Sequence, residues 1–279
     1  MNATQIQIVG NSVRAWALGL ALLNGLVVHA QVPVQASAAV CQKLIATGNP
    51  EYVPYLWRDA KDDSKLIGAN ADLMQLLSKE IGVPIEVKYV GPWSRVQELA
   101  RTGKIDLISG AFFTTARLDY MDYFYPAFRG TRTVIWTTPN KTFNYRTWSD
   151  LRDRKGLTVV NNSFGEEFDA YAKKTLTIAS VATLEQALQM LVLGRTDYLI
   201  YEEDPGLAFA AKLNINDLVT GPVAVSTEGL HLTFSHKSEC NTSELRGRIA
   251  KAMQKLSKDN VMKALVDSNI ALWRKQNHG

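Results

Sequence analysis

Two stretches of this chain, GKIDLIS (103–109) and GRTDYLIY (194–201), are written on one plan. In each, a glycine ends a helical pattern and a basic residue follows near the helix's negative end. An aspartate then precedes an apolar strand. What leads up to each is also alike. In the first case, the run LIATGN (44–49) reads as a strand. NADLMQLLSKEIG (70–82) puts Leu73, Leu76, Leu77 and Ile81 on one helical face, with Asn70 or Asp72 as cap and Gly82 as stop. PIEVKYV (84–90) alternates as a strand, and SRVQELARTG (94–103) turns Val96, Leu99 and Ala100 inward. In the second case, LTVVNNS (157–163) is a strand and EEFDAYAKKTL a helix, with Phe168, Tyr171 and Ala172 inward. TLEQALQMLVLG (183–194) opens on Thr183 and Gln186 at capping-box spacing. Strand and helix alternating in this way build parallel sheet. The repeat predicts two similar α/β lobes that divide near residues 129–135. The tail from Asn241 is mostly helical, with Leu245, Ile249 and Met253 along one face.

The first thirty residues follow other rules. They carry no acid, one arginine (Arg14), an apolar run from Ala15 to Val28, and then Val28-His29-Ala30. That run is interrupted by Asn24 and Gly25 and falls short of the roughly 20 residues of a membrane span. Residues 1–30 therefore read as a signal peptide, and what remains as an exported, soluble protein. Its 30 basic and 27 acidic residues give a net charge of +3, too small and scattered to favour nucleic acid or a membrane surface. The four histidines (29, 231, 236, 278) have no metal spacing, and there is no CxxC. Cys41 and Cys240 are either a disulfide, as an even pair in an exported protein suggests, or two separate buried thiols.

Seven segments in order give the chain a family likeness: NPEYVPYLW, GANADLMQLLSKEIG, the PW before the second helix, GKIDLISGAFFTTAR, MDYFYPAF, VVNNSFGEEF and GRTDYLIYEED. Over about residues 41–275 the sequence resembles the family 3 extracytoplasmic solute-binding proteins, receptors of polar amino-acid ABC transporters. The resemblance implies an α/β fold of the two-lobe, periplasmic-binding-protein type (type II). Its first lobe would be discontinuous (41–131 and 231–279), its second would span 132–230, and two crossing strands would form the hinge. It further implies a monomer in the periplasm that takes a small carboxylate-bearing solute, an amino acid or derivative, and delivers it to a membrane permease. No cofactor, metal, nucleic acid or catalytic activity is implied.

The residues themselves support a binding cleft. Ligands of open α/β sheets lie beyond the carboxyl ends of strands. There IDLISG ends at Gly110, and Thr114 or Thr115 can cap a short helix carrying Arg117. A guanidinium holds a carboxylate through two parallel hydrogen bonds, and the family uses the matching arginine in this way. A surface pairing with Asp119 or Asp122 is the plainer alternative. Five residues before Arg117, amino-acid binders carry Ser or Thr; this chain has Phe112. Glu202 falls where the family places the acid for the α-ammonium, although Glu202, Glu203 and Asp204 could equally form a solvated turn before Pro205. Ser163 matches a carboxylate-binding hydroxyl and could also serve as a helix cap, while Asn162 and Phe164 depart from the family pattern. Asn49, Tyr52 and Trp93 match positions that line the cleft. Two other functions use the same fold: a cyclohexadienyl-dehydratase-like enzyme and a ligand-sensing receptor. The second expectation is weakened by a chain that closes on WRKQNHG without a transmembrane helix.

Overall fold

The computed structural model describes residues 41–278, so the signal peptide expected over 1–30 lies outside the described residues. The first half of the fold contains β1 (Leu44–Thr47), β2 (Glu51–Tyr52), β3 (Leu56–Arg58), β4 (Leu66–Ile67), α1 (Ala69–Ile81), β5 (Ile85–Val87), α2 (Trp93–Arg101), β6 (Leu107–Phe112), α3 (Thr115–Leu118) and β7 (Met121–Tyr123). The long strand β8 (Arg129–Thr137) leads to β9 (Lys155–Val159), α4 (Glu166–Thr175), β10 (Thr177–Val181), α5 (Leu184–Val192), β11 (Tyr198–Glu202), α6 (Glu203–Lys212) and β12 (Val219–Thr220). A second long strand, β13 (Ser226–Ser235), returns to α7 (Ser243–Lys258) and α8 (Val261–His278). Among the described residues no helix is long and apolar enough to cross a membrane.

The repeat is visible in the topology. The main sheet runs β10-β9-β11-β8-β13-β6-β1-β5. In each half the first strand is central, the second lies outside it, and the third lies on the hinge side, all parallel. The echoed residues carry out matching work. Gly103 and Gly194 take left-handed backbone, φ 75° and 68°. Each closes its helix with the same pair of bonds: Gly103 N–H to Ala100 O and Lys104 N–H to Leu99 O, against Gly194 N–H to Leu191 O and Arg195 N–H to Met190 O. This double closure satisfies carbonyls left open at a helix end. The aspartates then reach across to the first strand of their own half. Asp106 Oδ2 accepts the Ile45 N–H at 2.6 Å, and Asp197 Oδ2 accepts the Lys155 N–H at 2.8 Å. The motif is thus a clamp that sets where the third strand begins relative to the first.

The halves are joined by β8 and β13. Ser226 to Leu230 of β13 pairs antiparallel with β8, and Leu230 to Phe234 pairs with β6. The exchange occurs at Leu230, next to a register shift between His231 and Leu232. The apolar cores are correspondingly separate: one under α1, α7 and α8 with Leu44, Leu73, Leu77 and Ile249, another under α5 with Leu157, Leu188 and Leu199. The second core also takes in Val53, Trp57 and Trp273. Trp273 of α8 packs edge-on against Trp57 and tilts over Phe209 of α6, so both halves meet at an aromatic joint.

Two local expectations are corrected. The α1 cap is Gly68, not Asn70 or Asp72; Asn70 is buried and donates to the Ser109 carbonyl. Residues 203–212 are helix, not a solvated turn: Pro205 sits in the first turn of α6, where its missing N–H costs nothing. Cys41 and Cys240 are joined in a disulfide across 199 residues of sequence, tying the start of β1 to the segment before α7. A loop this long gives up to about 5 kcal/mol in the chain-entropy limit, more typically 2–4 kcal/mol. A C41S/C240S variant, or the reduced protein, is expected to melt roughly 5–15 °C below the oxidised protein in a calorimetric scan. An unchanged melting temperature would show that the bond adds nothing to stability.

Candidate functional site

Both halves point the carboxyl ends of their parallel strands toward the seam between them, and the candidate side chains collect there. From the first half come Asn49 and Tyr52 after β1, Trp93 at the start of α2, Gly110, Ala111 and Phe112 of β6, and Arg117 of α3. From the second come Asn162 after β9 and Glu202 at the end of β11; Leu230, where β13 changes partner, completes the wall. These ten residues surround a cavity of about 20 Å³, room for a water or two. An organic ligand can enter only if the two walls part.

Arg117 is positioned by its own short helix. Thr114 caps α3 by accepting the Arg117 N–H, and the guanidinium, 5% exposed, donates from Nη1 to the Phe112 carbonyl at 2.8 Å. The Tyr123 hydroxyl also donates to that carbonyl. The Arg117 guanidinium carbon lies 5.4 Å from the Trp93 ring centre, within cation–π range. Glu202 stands at the N-terminus of α6 and is 2% exposed. Burial pushes its carboxyl up to about 7, partly offset by its own main-chain N–H, the nearby Asn162 amide and the Arg117 charge. Burial, with the Glu202 charge, likewise raises the Tyr52 phenol well above its ordinary value, so it is neutral and able to donate.

The hollow is bordered by polar atoms without a well-formed hydrogen bond to the protein. Glu202 Oε2, Asn162 Nδ2 and Tyr52 Oη are all buried without a hydrogen-bond partner. Asn70 Oδ1 is unbonded as well, but Asn70 stands behind Gly110 and outside the cavity wall. Such atoms cost about 1–3 kcal/mol each when nothing satisfies them, and folded proteins keep very few. Three around one cavity mark a place where a partner belongs.

Across the seam the walls are already bonded. The main-chain carbonyl of Asn161 accepts from Trp93 Nε1 (3.2 Å), Gln97 Nε2 (3.1 Å) and Arg117 Nη2 (3.4 Å). Asn161 is left-handed, φ 59°, which turns its carbonyl out of the β9 strand path. Asn49 adds a bond to the Tyr201 hydroxyl, and the Thr115 N–H one to Glu166.

Of the residues singled out by sequence, the structure brings Asn49, Tyr52, Trp93, Gly110, Arg117 and Glu202 around one cavity. It does not bring Thr114 and Ser163 there. Both line a separate hollow on the other side of Arg117, and the Ser163 hydroxyl is taken by Asp169. Sequence reading named Asn162 only as a departure from the family pattern and Asn70 only as a helix cap, and assigned neither to the site. Asn70 did leave a signal: spaced three and seven before Leu73 and Leu77, it is a polar residue on the buried face of α1.

The Glu202 shift has a consequence for stability. A carboxyl raised in the folded state from 4.5 to about 7 binds a proton that the unfolded chain has released. Stability is therefore present below pH 4.5 and is lost as pH rises to 7, by about 3 kcal/mol. Without ligand, Glu202→Gln is expected to melt several degrees above the parent at pH 8, a gap that closes toward pH 4.5. A gap independent of pH would detach the effect from ionisation.

The overall fold is shared with solved structures. One is a histidine kinase sensor domain with similarity to periplasmic binding proteins (TM-score 0.69, 21% identity, covering 83% of this chain and 96% of that one). Another is the amino acid ABC transporter substrate-binding protein AbpA from Streptococcus pneumoniae, bound to L-arginine (0.68, 19%, 83% and 96%). A third is an ancestral arginine-binding protein bound to glutamine (0.66, 20%, 83% and 97%). At these identities the likeness is one of fold, two lobes with a discontinuous first lobe and a two-strand hinge. No curated protein matches in sequence at a significant level. The model of the bacterial extracellular solute-binding proteins, family 3, matches residues 44–270, and the chain belongs to that family.

Proposed function

We propose that this protein captures a small zwitterion, an amino acid or close derivative, outside the cytoplasm and hands it to an ABC importer. The observation that carries the reading is the single cavity walled by a buried guanidinium from one half and a buried carboxyl from the other, with unbonded polar atoms around it. A carboxylate would take the Arg117 N–H groups left free by Phe112 and Asn161. An ammonium would ionise Glu202 fully and meet its unbonded oxygen. Tyr52, Trp93 and Phe112 would cover the rest of the solute, with the walls swinging on β8 and β13. We place the lobe boundaries at 131/132 and 230/231, near the start of β8 and in the middle of β13, with residues 1–30 as signal peptide and the mature protein a periplasmic monomer.

The working contacts are Asn49, Tyr52, Trp93, Gly110, Arg117, Asn162 and Glu202; Thr114 acts one step back as the cap of α3, and Ser163 through its bond to Asp169. A thermal-shift panel of amino acids, opines and small organic acids would find the solute, since a ligand of the folded state raises its melting temperature. With that solute in a calorimeter, Arg117→Lys keeps the charge but loses the planar fork, and is expected to weaken binding about tenfold or more. Equal affinity in parent and variant would remove Arg117 from the site. A dehydratase reading draws on one observation, a buried Glu202 near neutrality that could donate a proton. Release of phenylpyruvate from prephenate, lost in Glu202→Gln, would decide for it.

A further inference from the structure

The charges around the cavity can be counted. Its wall holds one cation, Arg117, and one anion, Glu202; the remaining polar groups are the neutral Asn49, Tyr52 and Asn162, with Asn70 behind Gly110. Glu228, two residues before Leu230, packs against Gly165 and is outside the cavity wall, and the other acids nearby are engaged elsewhere. Glu51 accepts the Leu184 N–H at the start of α5, 2.7 Å, and faces a different hollow. Asp204 takes the Tyr55 hydroxyl and Glu203 the Arg132 guanidinium. Glu166 takes the Thr115 N–H, and Asp169 the Ser163 hydroxyl. The nearby cations are similarly occupied: Arg129 donates to Tyr55, and Arg132 is paired. A zwitterion therefore uses both charges and leaves none over.

From this inventory, resting on the reading above, we infer that the solute is an amino acid with a small, uncharged side chain, and that cationic and acidic amino acids are excluded. A second ammonium or guanidinium would be desolvated among amides and rings with no counter-ion, a far larger cost than the bonds it could gain. Size acts in the same direction. Phe112 and Leu230 fill the wall from the β6 and β13 side and Trp93 from α2, all buried, so a modest parting of the walls admits a short side chain before a long one. The amides of Asn49 and Asn162 and the Tyr52 hydroxyl suit polar but neutral groups. This sets the chain apart from the pneumococcal protein of the same fold that holds L-arginine.

The test is calorimetric titration of the full mature protein with glycine, L-alanine, L-serine, L-glutamate, L-lysine and L-arginine, repeated on Arg117→Lys and Asn49→Asp. Asn49→Asp is a conservative probe. Its new carboxylate can accept from the Tyr201 hydroxyl, which now receives the Asn49 amide at 3.0 Å, so the contact survives with its direction reversed. The expected result is that one of glycine, alanine or serine binds about a hundredfold or more tighter than lysine, arginine or glutamate. Asn49→Asp is expected to narrow the gap to lysine and arginine about tenfold. Lysine or arginine binding as tightly as the neutral three, with Arg117→Lys weakening it, would overturn the inference while leaving the site intact. A preference that Asn49→Asp leaves unchanged would overturn the charge argument. If none of the six binds, or if Arg117→Lys changes nothing, the reading of the cavity falls and the inference with it.

Discussion

The structure depends on β13 having two partners. One strand cannot pair with β8 at one end and β6 at the other unless both halves present their free edges to it in line. That requirement lays the two parallel sheets side by side with their carboxyl ends toward a common seam. Leu230, where the partner changes, is itself in the cavity wall. The residues that converge there are far apart in sequence, Arg117 just before β7 and Glu202 at the end of β11, and nothing local brings them together. The aspartate clamps serve the same end within each half, fixing the start of the third strand against the first.

The site sets stability against function. Glu202 is buried with one oxygen unbonded, and its cavity neighbours Asn162 and Tyr52 leave two further polar atoms in the same condition. A sequence selected for stability alone would carry an apolar or fully paired residue at each of these positions. The offset comes from elsewhere: a disulfide spanning nearly the whole described chain, separate cores in the two halves, and the joint of Trp57, Trp273 and Phe209. The disulfide and the cores act within their own halves and only the aromatic joint ties the halves together, and none of them fills the cavity.

Sequence carried most of this arrangement, because most of it is periodic or repeated. Helical spacing placed α1, α2, α5 and α7, and the echo of GKIDLIS in GRTDYLIY pointed to two like halves whose strand order proves to be the same. Arg117 and Glu202 were legible as opposed charges at strand ends. The cavity's neutral polar wall was not. Asn162 shows no pattern at all, and Asn70 looked like a helix cap because asparagine favours that position in general. Which side of Arg117 a neighbour faces is also unreadable: Ser163 and Thr114 sit at proper spacing yet line the opposite hollow, since Asp169, one turn into α4, draws the serine away. The α6 helix was hidden by its opening run of acids and a proline, which reads as a turn until the first-turn rule is applied.

The latch on Asn161 bears on how closure is controlled. Three donors of the first half, Trp93, Gln97 and Arg117, share one carbonyl oxygen of the second, which has two lone pairs to offer. Each such bond contributes roughly 1 kcal/mol net, and the sharing keeps the sum below three full bonds. On the other side stand three buried polar atoms of the cavity wall, Glu202 Oε2, Asn162 Nδ2 and Tyr52 Oη, without a close protein partner. Burying them costs free energy, and parting the walls returns them to water while breaking the latch. A solute that bonds them removes the penalty and keeps the latch, and it shifts the equilibrium only by that differential. Because the acceptor is main chain, the latch itself does not distinguish one solute from another; the discrimination is left to the side chains of the cavity.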